Sequence, residues 1–140
     1  MNKYGLIFHH LGLATQRFKD AQIFLMGMGY KINQVVYDPL QKVNLCLCEN
    51  ENMPTIEIIF SFEETSPIHN IISTKKEMIY HTCYETDDLN TSISLIKSDK
   101  NRIITVSGPT KAILFDNRLV SFHYIKGFGL IEILQREVSN

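Results

Sequence analysis

Two histidines and two glutamates lie at matching places in the two halves of the chain. His10 stands in "FHHLGLAT" and His81 in "YHTCYET", and each histidine comes five residues before a threonine. Glu57 stands in "TIEIIF" and Glu132 in "LIEIL". The histidines are 71 residues apart (10 to 81) and the glutamates 75 (57 to 132). Self-similarity at a nearly fixed period predicts a structural repeat.

These residue types in this pattern are able to bind a metal ion. Because side chains alternate along a strand, each glutamate faces away from the isoleucines on either side of it. A carboxylate on so apolar a strand is costly to bury without a compensating group, and two neighbouring carboxylates repel each other. A divalent cation would resolve both problems. A pair of salt bridges would too, although the strands carry no regularly placed lysine or arginine.

Two histidines and two glutamates form an N2O2 donor set that suits zinc, nickel, cobalt, manganese or iron(II). His10 shares a strand face with Gly12 and Ala14, whose small side chains leave space beside the ring. A structural histidine and a solvent-facing glutamate are the ordinary alternatives for any one of these residues. The residues alone therefore leave a metal site and a polar core as open interpretations.

Hydrophobic periodicity predicts the order strand, helix, strand, strand, strand, written twice. The first half has a strand over 7–14, a helix with Phe18, Ala21, Leu25 and Met28 on one face, and strands over 31–37, 42–48 and 55–60. The second half has a strand over 78–86, a helix over 87–100 capped by Asp87, and strands over 102–106, 118–125 and 129–135. Between the halves, a polar linker contains a short helix with Pro67 at its first position. The segments "DPLQ" and "SGPT" are predicted turns.

Composition limits the class of protein. With 140 residues, 44% of them apolar, the chain is long enough for one domain. The net charge of −1 and the absence of a basic stripe argue against nucleic-acid binding. The apolar stretches are too short to span a bilayer and the N-terminus lacks a signal-peptide pattern, so we expect no membrane partner and a cytoplasmic location. Cys46, Cys48 and Cys83 lack CxxC spacing and are expected to be reduced thiols, the first two in the core.

The remaining histidines and several aromatic residues are weaker candidates. His9 faces away from His10 and His69 lies in the linker, so both are interpreted as structural. His123 is interpreted as structural too, with the lining of a cavity as its alternative. Four aromatic residues near the C-terminus are candidates for contacts with a substrate: Phe115, Phe122, Tyr124 and Phe128.

The segments "HHLGLAT", "IEIIFSFEETSPI", "YHTCYETDDL", "NRLVSFHY" and "GLIEIL" together resemble the vicinal oxygen chelate superfamily. That superfamily holds glyoxalase, methylmalonyl-CoA epimerase, bleomycin-resistance proteins and extradiol dioxygenases. The resemblance implies an α+β fold of two tandem βαβββ modules, whose curled mixed sheet forms a cup with a metal at its floor. It further implies one glyoxalase-like domain over 1–140, with module one at about 6–60, a linker at about 61–77 and module two at about 78–136.

The resemblance also implies a site and an activity. The metal ligands would be His10, Glu57, His81 and Glu132, holding one divalent ion, and the protein would be a homodimer that acts on a small molecule. This ligand set is similar to that of bacterial-type glyoxalase (lactoylglutathione lyase) and close to that of the epimerase, which the linker "SPI" and "YHTCYETDDL" resemble more. Both enzymes move a proton next to a metal-bound carbonyl of a thioester or thiohemiacetal.

In that chemistry Glu132 would be the base and Glu57 its partner on the opposite face. Some epimerases carry a further acidic residue on the third strand of module one, where this chain has Leu45 or Asn44. The alternative function is a small-molecule-binding protein of the bleomycin-resistance type, without catalysis.

Overall fold

The structure, a computed structural model, describes residues 2–137. The strands are β1 (Ile7–Thr15), β2 (Lys31–Ile32), β3 (Val36–Asp38), β4 (Val43–Glu49), β5 (Ile56–Phe60), β6 (Glu77–Thr86), β7 (Ile103–Ala112), β8 (Arg118–Ile125) and β9 (Gly129–Gln135). The helices are α1 (Phe18–Gly27), α2 (His69–Lys75) and α3 (Leu89–Ser98), and a 3-10 turn spans Ile113–Phe115. The predicted α+β fold with a repeated βαβββ order is confirmed.

The described residues fall into two compact units. The first unit is His10–Tyr80, and the second unit combines residues 2–9 with residues 81–137. The helical part of the linker therefore belongs to the first unit, and the N-terminal segment to the second. The single domain over 1–140 and its module bounds stay a prediction, and residues 1 and 138–140 lie outside the described residues.

In the first unit the strands follow the order β2-β4-β5-β1, and β3 also pairs with β4. The β1–β5 pair is parallel, and the pairs made by β4 are antiparallel. Helix α1 packs Leu25 against a core of Tyr30, Cys46, Cys48 and Ile58. The apolar face predicted for α1 and the core positions predicted for the two cysteines are both confirmed.

In the second unit the strands follow the order β6-β9-β8-β7, with β6 and β9 parallel. Helix α3 packs Leu89 and Ile96 against Ile131 and Ile133 of β9. Its N-cap is Asp88, whose carboxylate accepts a hydrogen bond of 3.0 Å from the backbone N–H of Thr91. The sequence-based choice of Asp87 as the cap is therefore wrong by one residue.

Three predicted segments differ from the structure. The run 31–37 is interrupted, and its two ends, β2 and β3, each pair with β4. The segment "SGPT" is not a turn between strands, because it lies inside β7, whose pairing with β8 shifts register on both sides of Ser107. Helix α2 begins at His69 rather than at Pro67. The "DPLQ" turn is confirmed, since Asp38 Oδ1 accepts a 2.9 Å hydrogen bond from the N–H of Leu40.

All three cysteines are buried thiols. Within residues 2–137, no helix is long and apolar enough to cross a membrane.

Strand alternation places the two glutamates on the sheet faces opposite α1 and α3. In β5, Ile58 packs under α1, so Glu57 points to the other face. In β9, Ile131 and Ile133 pack under α3, so Glu132 likewise points away from the helix. The fold thus directs the carboxylates of both units away from the helical core.

Candidate functional site

The first unit brings His10 and Glu57 together on adjacent parallel strands. Glu57 of β5 lies in register with Gly12 of β1, and His10 is two residues earlier on the same face of β1. His10 Nε2 and Glu57 Oε1 are 3.6 Å apart. The His10 side chain is fully buried and that of Glu57 is 5% exposed. The two predicted site residues of this unit therefore form one buried pair.

The second unit repeats this arrangement with His81 and Glu132. Glu132 of β9 lies in register with Cys83 of β6, and His81 is two residues earlier on the same face. His81 Nε2 and Glu132 Oε1 are 3.5 Å apart, with side chains 0% and 4% exposed. Each unit thus builds its pair from a parallel first and last strand, with the same offset in register.

The donor sets and distances fit ligation of a metal ion. Each separation exceeds the 2.7–3.2 Å of an N–H···O hydrogen bond. With metal–ligand bonds of about 2.0–2.2 Å, two ligands of a tetrahedral ion lie about 3.4 Å apart. The observed 3.5 and 3.6 Å are close to that span. Imidazole nitrogen and carboxylate oxygen are ordinary ligands of zinc and similar ions.

Arginine side chains of the second unit contact a different carboxylate. Arg118 Nη1 lies 3.7 Å and Arg136 Nε 3.8 Å from the carboxylate oxygens of Glu85. Glu85 is four residues after His81 on β6, in register with Leu134. Arg136 Nη1 also lies 3.3 Å from Asp87 Oδ1. These two arginines therefore pair with Glu85 and Asp87, which weakens the salt-bridge interpretation of Glu132.

Phe122 is the candidate aromatic residue that lies nearest to a His–Glu pair. It is in register with Glu132 across β8 and β9. Its ring meets the ring of His81 edge-on, with centroids 5.5 Å apart. Phe122 thus forms an apolar wall beside this pair.

The other three aromatic candidates differ in their burial and in their position in the second unit. Phe115 is buried and its ring meets the ring of His9 edge-on, with centroids 5.3 Å apart. Tyr124 is 45% exposed and shares the Phe122 face of β8. Phe128 lies in the β8–β9 turn and lines a cavity whose sheet residues include Ile131, on the α3 side. Phe122 and Tyr124 therefore stay candidates for substrate contacts on the Glu132 face.

His123 is a structural residue. It lies in register with Ile131, on the α3 side of the sheet. Its Nε2 is 2.7 Å from the hydroxyl of Ser121 and its Nδ1 is 3.1 Å from the hydroxyl of Thr105. Burial, together with the positive charge of Lys97, lowers the pKa of the ring below its ordinary value. The neutral ring is thus favoured, and the structural interpretation is confirmed over the cavity-lining one.

Strand β4 places two leucine side chains on the Glu57 face of the sheet. Leu47 is the direct neighbour of Glu57 in register, and Leu45 pairs with Ile59 on the same face. Asn44 belongs to the opposite face of the strand. Of the two positions considered from the sequence, Leu45 is therefore the one on the Glu57 face. Leu47, which sequence reasoning missed, is closer in register.

Comparison with known proteins gives one family. The sequence pattern of the Glyoxalase/Bleomycin resistance protein/Dioxygenase superfamily matches residues 9–122. The match includes His10, Glu57 and His81 and ends before Glu132. No curated protein sequence matches the chain.

Solved structures with this fold include methylmalonyl-CoA epimerases. The epimerase from Mycobacterium tuberculosis has a TM-score of 0.76 at 18% identity, covering 96% of this chain and 89% of its own. A hypothetical protein from Bacillus halodurans has a TM-score of 0.78 at 22% identity, covering 96% and 97%. A variant of the Streptomyces coelicolor epimerase in complex with 2-nitronate-propionyl-CoA has a TM-score of 0.70 at 13% identity, covering 94% and 97%. At these identities the likeness shows the fold.

Proposed function

Because the chain belongs to the glyoxalase/bleomycin resistance protein/dioxygenase superfamily, we propose that it is a metal-dependent isomerase or lyase. Its reaction would remove and return a proton next to the carbonyl carbon of a small thioester or thiohemiacetal. The observation that carries the proposal is the repeated His–Glu pair, buried and set at the same register offset in both units.

The ligands of one divalent ion would be His10, Glu57, His81 and Glu132. Zinc, nickel, cobalt and manganese all accept this N2O2 donor set, so the donors leave the metal open. The bound ion would supply Lewis acidity, which polarises a substrate oxygen and acidifies the neighbouring C–H. The buried surroundings of both pairs support this role, because a dry site strengthens every electrostatic interaction within it.

Glu132 is our first candidate for the base, and Glu57 for the group that exchanges a proton on the other face of the substrate. Both carboxylates are nearly excluded from water, at 3% and 4% exposure. Leu45 and Leu47 offer no acid on the β4 side of Glu57, so the proposed proton transfer uses the two glutamates.

The substrate class is drawn from the proteins that share the fold. Solved relatives are named methylmalonyl-CoA epimerase, one of them in complex with methylmalonyl-CoA and NH4+. We propose a small acyl thioester, or the thiohemiacetal of the glyoxalase reaction, as the class for this chain. A homodimer and a cytoplasmic location belong to the same proposal, the latter supported by three buried thiols.

The metal content of the purified protein tests the proposed site without a substrate. The purified chain would be loaded with nickel, cobalt, zinc or manganese, dialysed and analysed by mass spectrometry. We expect about one ion per chain, and loss of the ion from His81→Ala and from His10→Ala. The matched control is His69→Ala, a histidine of α2 outside both pairs, which keeps the ion. Equal metal content in all four proteins would exclude the proposed ligands.

Proton exchange tests the reaction. The metal-loaded protein would be incubated in heavy water with methylmalonyl-CoA, and separately with the glutathione–methylglyoxal adduct, while NMR follows exchange at the carbon next to the carbonyl. Glu132→Gln is expected to fold normally and to slow exchange by about 10²–10⁴-fold. Undiminished exchange in that variant would exclude Glu132 as the base. Tight ligand binding without exchange, even after removal of all metal, would favour a binding protein.

A further inference from the structure

The second unit contains a cavity of about 480 Å³ beneath its N-terminal segment. One wall consists of alternate residues of that segment, among them Tyr4, Leu6 and Phe8. Sheet and helix residues, among them Tyr84 and Ile96, form the rest of the lining. The volume lies in the range of about 300–1,000 Å³ that ligand pockets occupy.

The cavity lies on the opposite side of the sheet from the His81–Glu132 pair. Tyr84 of β6 and Ile131 of β9 both line it, and Ile131 also packs under α3. Glu132 is the next residue after Ile131 and therefore faces away from the cavity. A molecule in this cavity would be separated from the proposed metal ligands of the unit by the thickness of the sheet.

The N-terminal wall is fastened to α3 and to the segment after it. Ser92 donates a hydrogen bond of 2.7 Å to the backbone carbonyl of Tyr4. The Tyr4 hydroxyl donates to Asp99 at 2.7 Å and accepts from the Asn101 amide at 3.0 Å. Lys3 forms an ion pair with Asp99. The wall is thus held in place without any ligand.

The interior of the cavity is chemically apolar. Its polar lining residues use their groups on the wall itself: Asn2 Oδ1 accepts from the N–H of Tyr4 and of Leu6, and Asn101 Nδ2 donates to Tyr4 and to the carbonyl of Ile96. No lysine, arginine, aspartate, glutamate or histidine is among the lining residues described. A charged ligand would lose its hydration there without gaining a partner of opposite charge.

Two of the aromatic lining residues, Phe8 and Phe128, are exposed to solvent. Phe128 is 62% exposed and Phe8 is 45% exposed. Phe8 meets the ring of Tyr84 edge-on, with centroids 6.1 Å apart. Gly127 and Gly129, at φ of +87° and +117°, place Phe128 in the turn beside the cavity. A flat apolar ring placed against these side chains would bury exposed surface of both phenylalanines.

We propose that this cavity is a binding site for a neutral aromatic molecule of two or three rings. An apolar cavity of about 150 Å³ holds one benzene ring, and the volume here is about 480 Å³. The uncharged lining selects against carboxylates and phosphates, and the four rings of Tyr4, Phe8, Tyr84 and Phe128 favour an aromatic ligand over a flexible chain. The sheet separates this site from the His81–Glu132 pair, because Ile131 lines the cavity and Glu132 faces the other way.

The test uses N-phenyl-1-naphthylamine, a neutral three-ring compound whose fluorescence rises in apolar surroundings. We expect saturable binding of about one molecule per chain in the full-length protein. Phe128→Ala, at an exposed position, is expected to weaken binding about tenfold, equal to about 1.4 kcal/mol. Leu6→Trp is expected to fill the cavity and to abolish binding, with its fold checked by circular dichroism.

The matched control is Phe62→Ala, which removes an 88% exposed phenylalanine of the first unit that does not line the cavity. It is expected to leave binding unchanged. Equal weakening by Phe62→Ala and Phe128→Ala, or no saturable binding, would overturn the proposal. Probe binding that falls as the chain dimerises would also overturn the proposal, because a second copy of the chain would then occupy the cavity. His81→Ala is expected to retain probe binding even where it loses metal, which separates this proposal from the proposed function.

Discussion

The substitution His123→Leu would remove a ring that joins two hydroxyl groups of the second unit. Nε2 of the ring is 2.7 Å from Ser121 Oγ, and Nδ1 is 3.1 Å from Thr105 Oγ1. Ser121 is 1% exposed, whereas Thr105 is exposed. The threonine can turn to water after the substitution, and the serine hydroxyl would stay buried.

A buried hydroxyl that loses its partner costs about 1–3 kcal/mol. Leucine occupies a volume close to that of histidine, so the term for a new cavity is small. We therefore expect His123→Leu to lower the free energy of unfolding by about 1–3 kcal/mol. Ser121→Ala alone should also destabilise the protein, because it leaves the buried Nε2 without this hydroxyl.

The double variant Ser121→Ala/His123→Leu removes both partners at once. Replacing both members of a buried hydrogen bond by apolar groups is close to neutral, so the double variant should be more stable than either single variant. Urea unfolding of the four proteins gives the coupling free energy directly. Strictly additive losses would refute the reasoning, as would a neutral His123→Leu. Metal uptake should be the same in all four, because His123 lies on the α3 side of the sheet.

The same ring predicts a dependence of stability on pH. Burial, and then the charge of Lys97, lower the pKa of His123 in the folded protein from its ordinary 6.5. The unfolded chain therefore binds a proton here more readily than the folded chain does. The contribution of His123 to the free energy of unfolding is therefore fully present above about pH 6.5, and it is lost as the pH drops through the folded pKa. Urea midpoints at about pH 7.5 and about pH 5.5 should differ more in the parent than in His123→Leu; equal differences would contradict this.

Two further predictions concern a glycine and a helix cap of the second unit. Gly108→Ala would place a Cβ 2.6 Å from the carbonyl oxygen of Val120, at φ of +89°. It should lower the free energy of thermal unfolding by about 2–4 kcal/mol. Its control Gly127→Ala, at φ of +87° with nothing within 4 Å, should lower it by only about 1–2 kcal/mol. Asp88→Ala removes the cap of α3 and should cost about 0.5–2 kcal/mol, whereas Asp87→Ala should change stability by less than about 0.5 kcal/mol. Equal effects within either pair would contradict the geometry described.

Periodicity was sufficient to predict the elements that carry the His–Glu pairs. Each glutamate stands between isoleucines that pack under a helix, so a period of two assigns the carboxylate to the other face. That the pairs are formed within each unit follows from the parallel pairing of first and last strands. Pairing of this kind is not a local property of the sequence, and the repeat alone did not predict it.

Local sequence signals failed in two situations. In one, two neighbouring residues were equally able to cap a helix; in the other, strand pairing prevailed over a sequence typical of a turn. Asp87 and Asp88 are both able to cap α3, and the extended backbone of Asp88 decides between them. "SGPT" has the composition of a turn, yet β8 holds the residues on either side of it in one strand. Leu47 was missed as the neighbour of Glu57 because register across β4 and β5 depends on the turn between them.

The buried His–Glu pairs are better explained by function than by stability. Desolvating a carboxylate costs several kcal/mol, and a well-packed apolar pair in its place is often neutral or more stable by about 1–4 kcal/mol. Each unit already has a core on the helix side of its sheet, built around Ile58 in one and Ile133 in the other. The pairs lie on the opposite faces of the sheet, where they add nothing to the packing of α1 or α3. A fold that needed only stability would have no physical reason to place the same costly pair, at the same register, in both of its units.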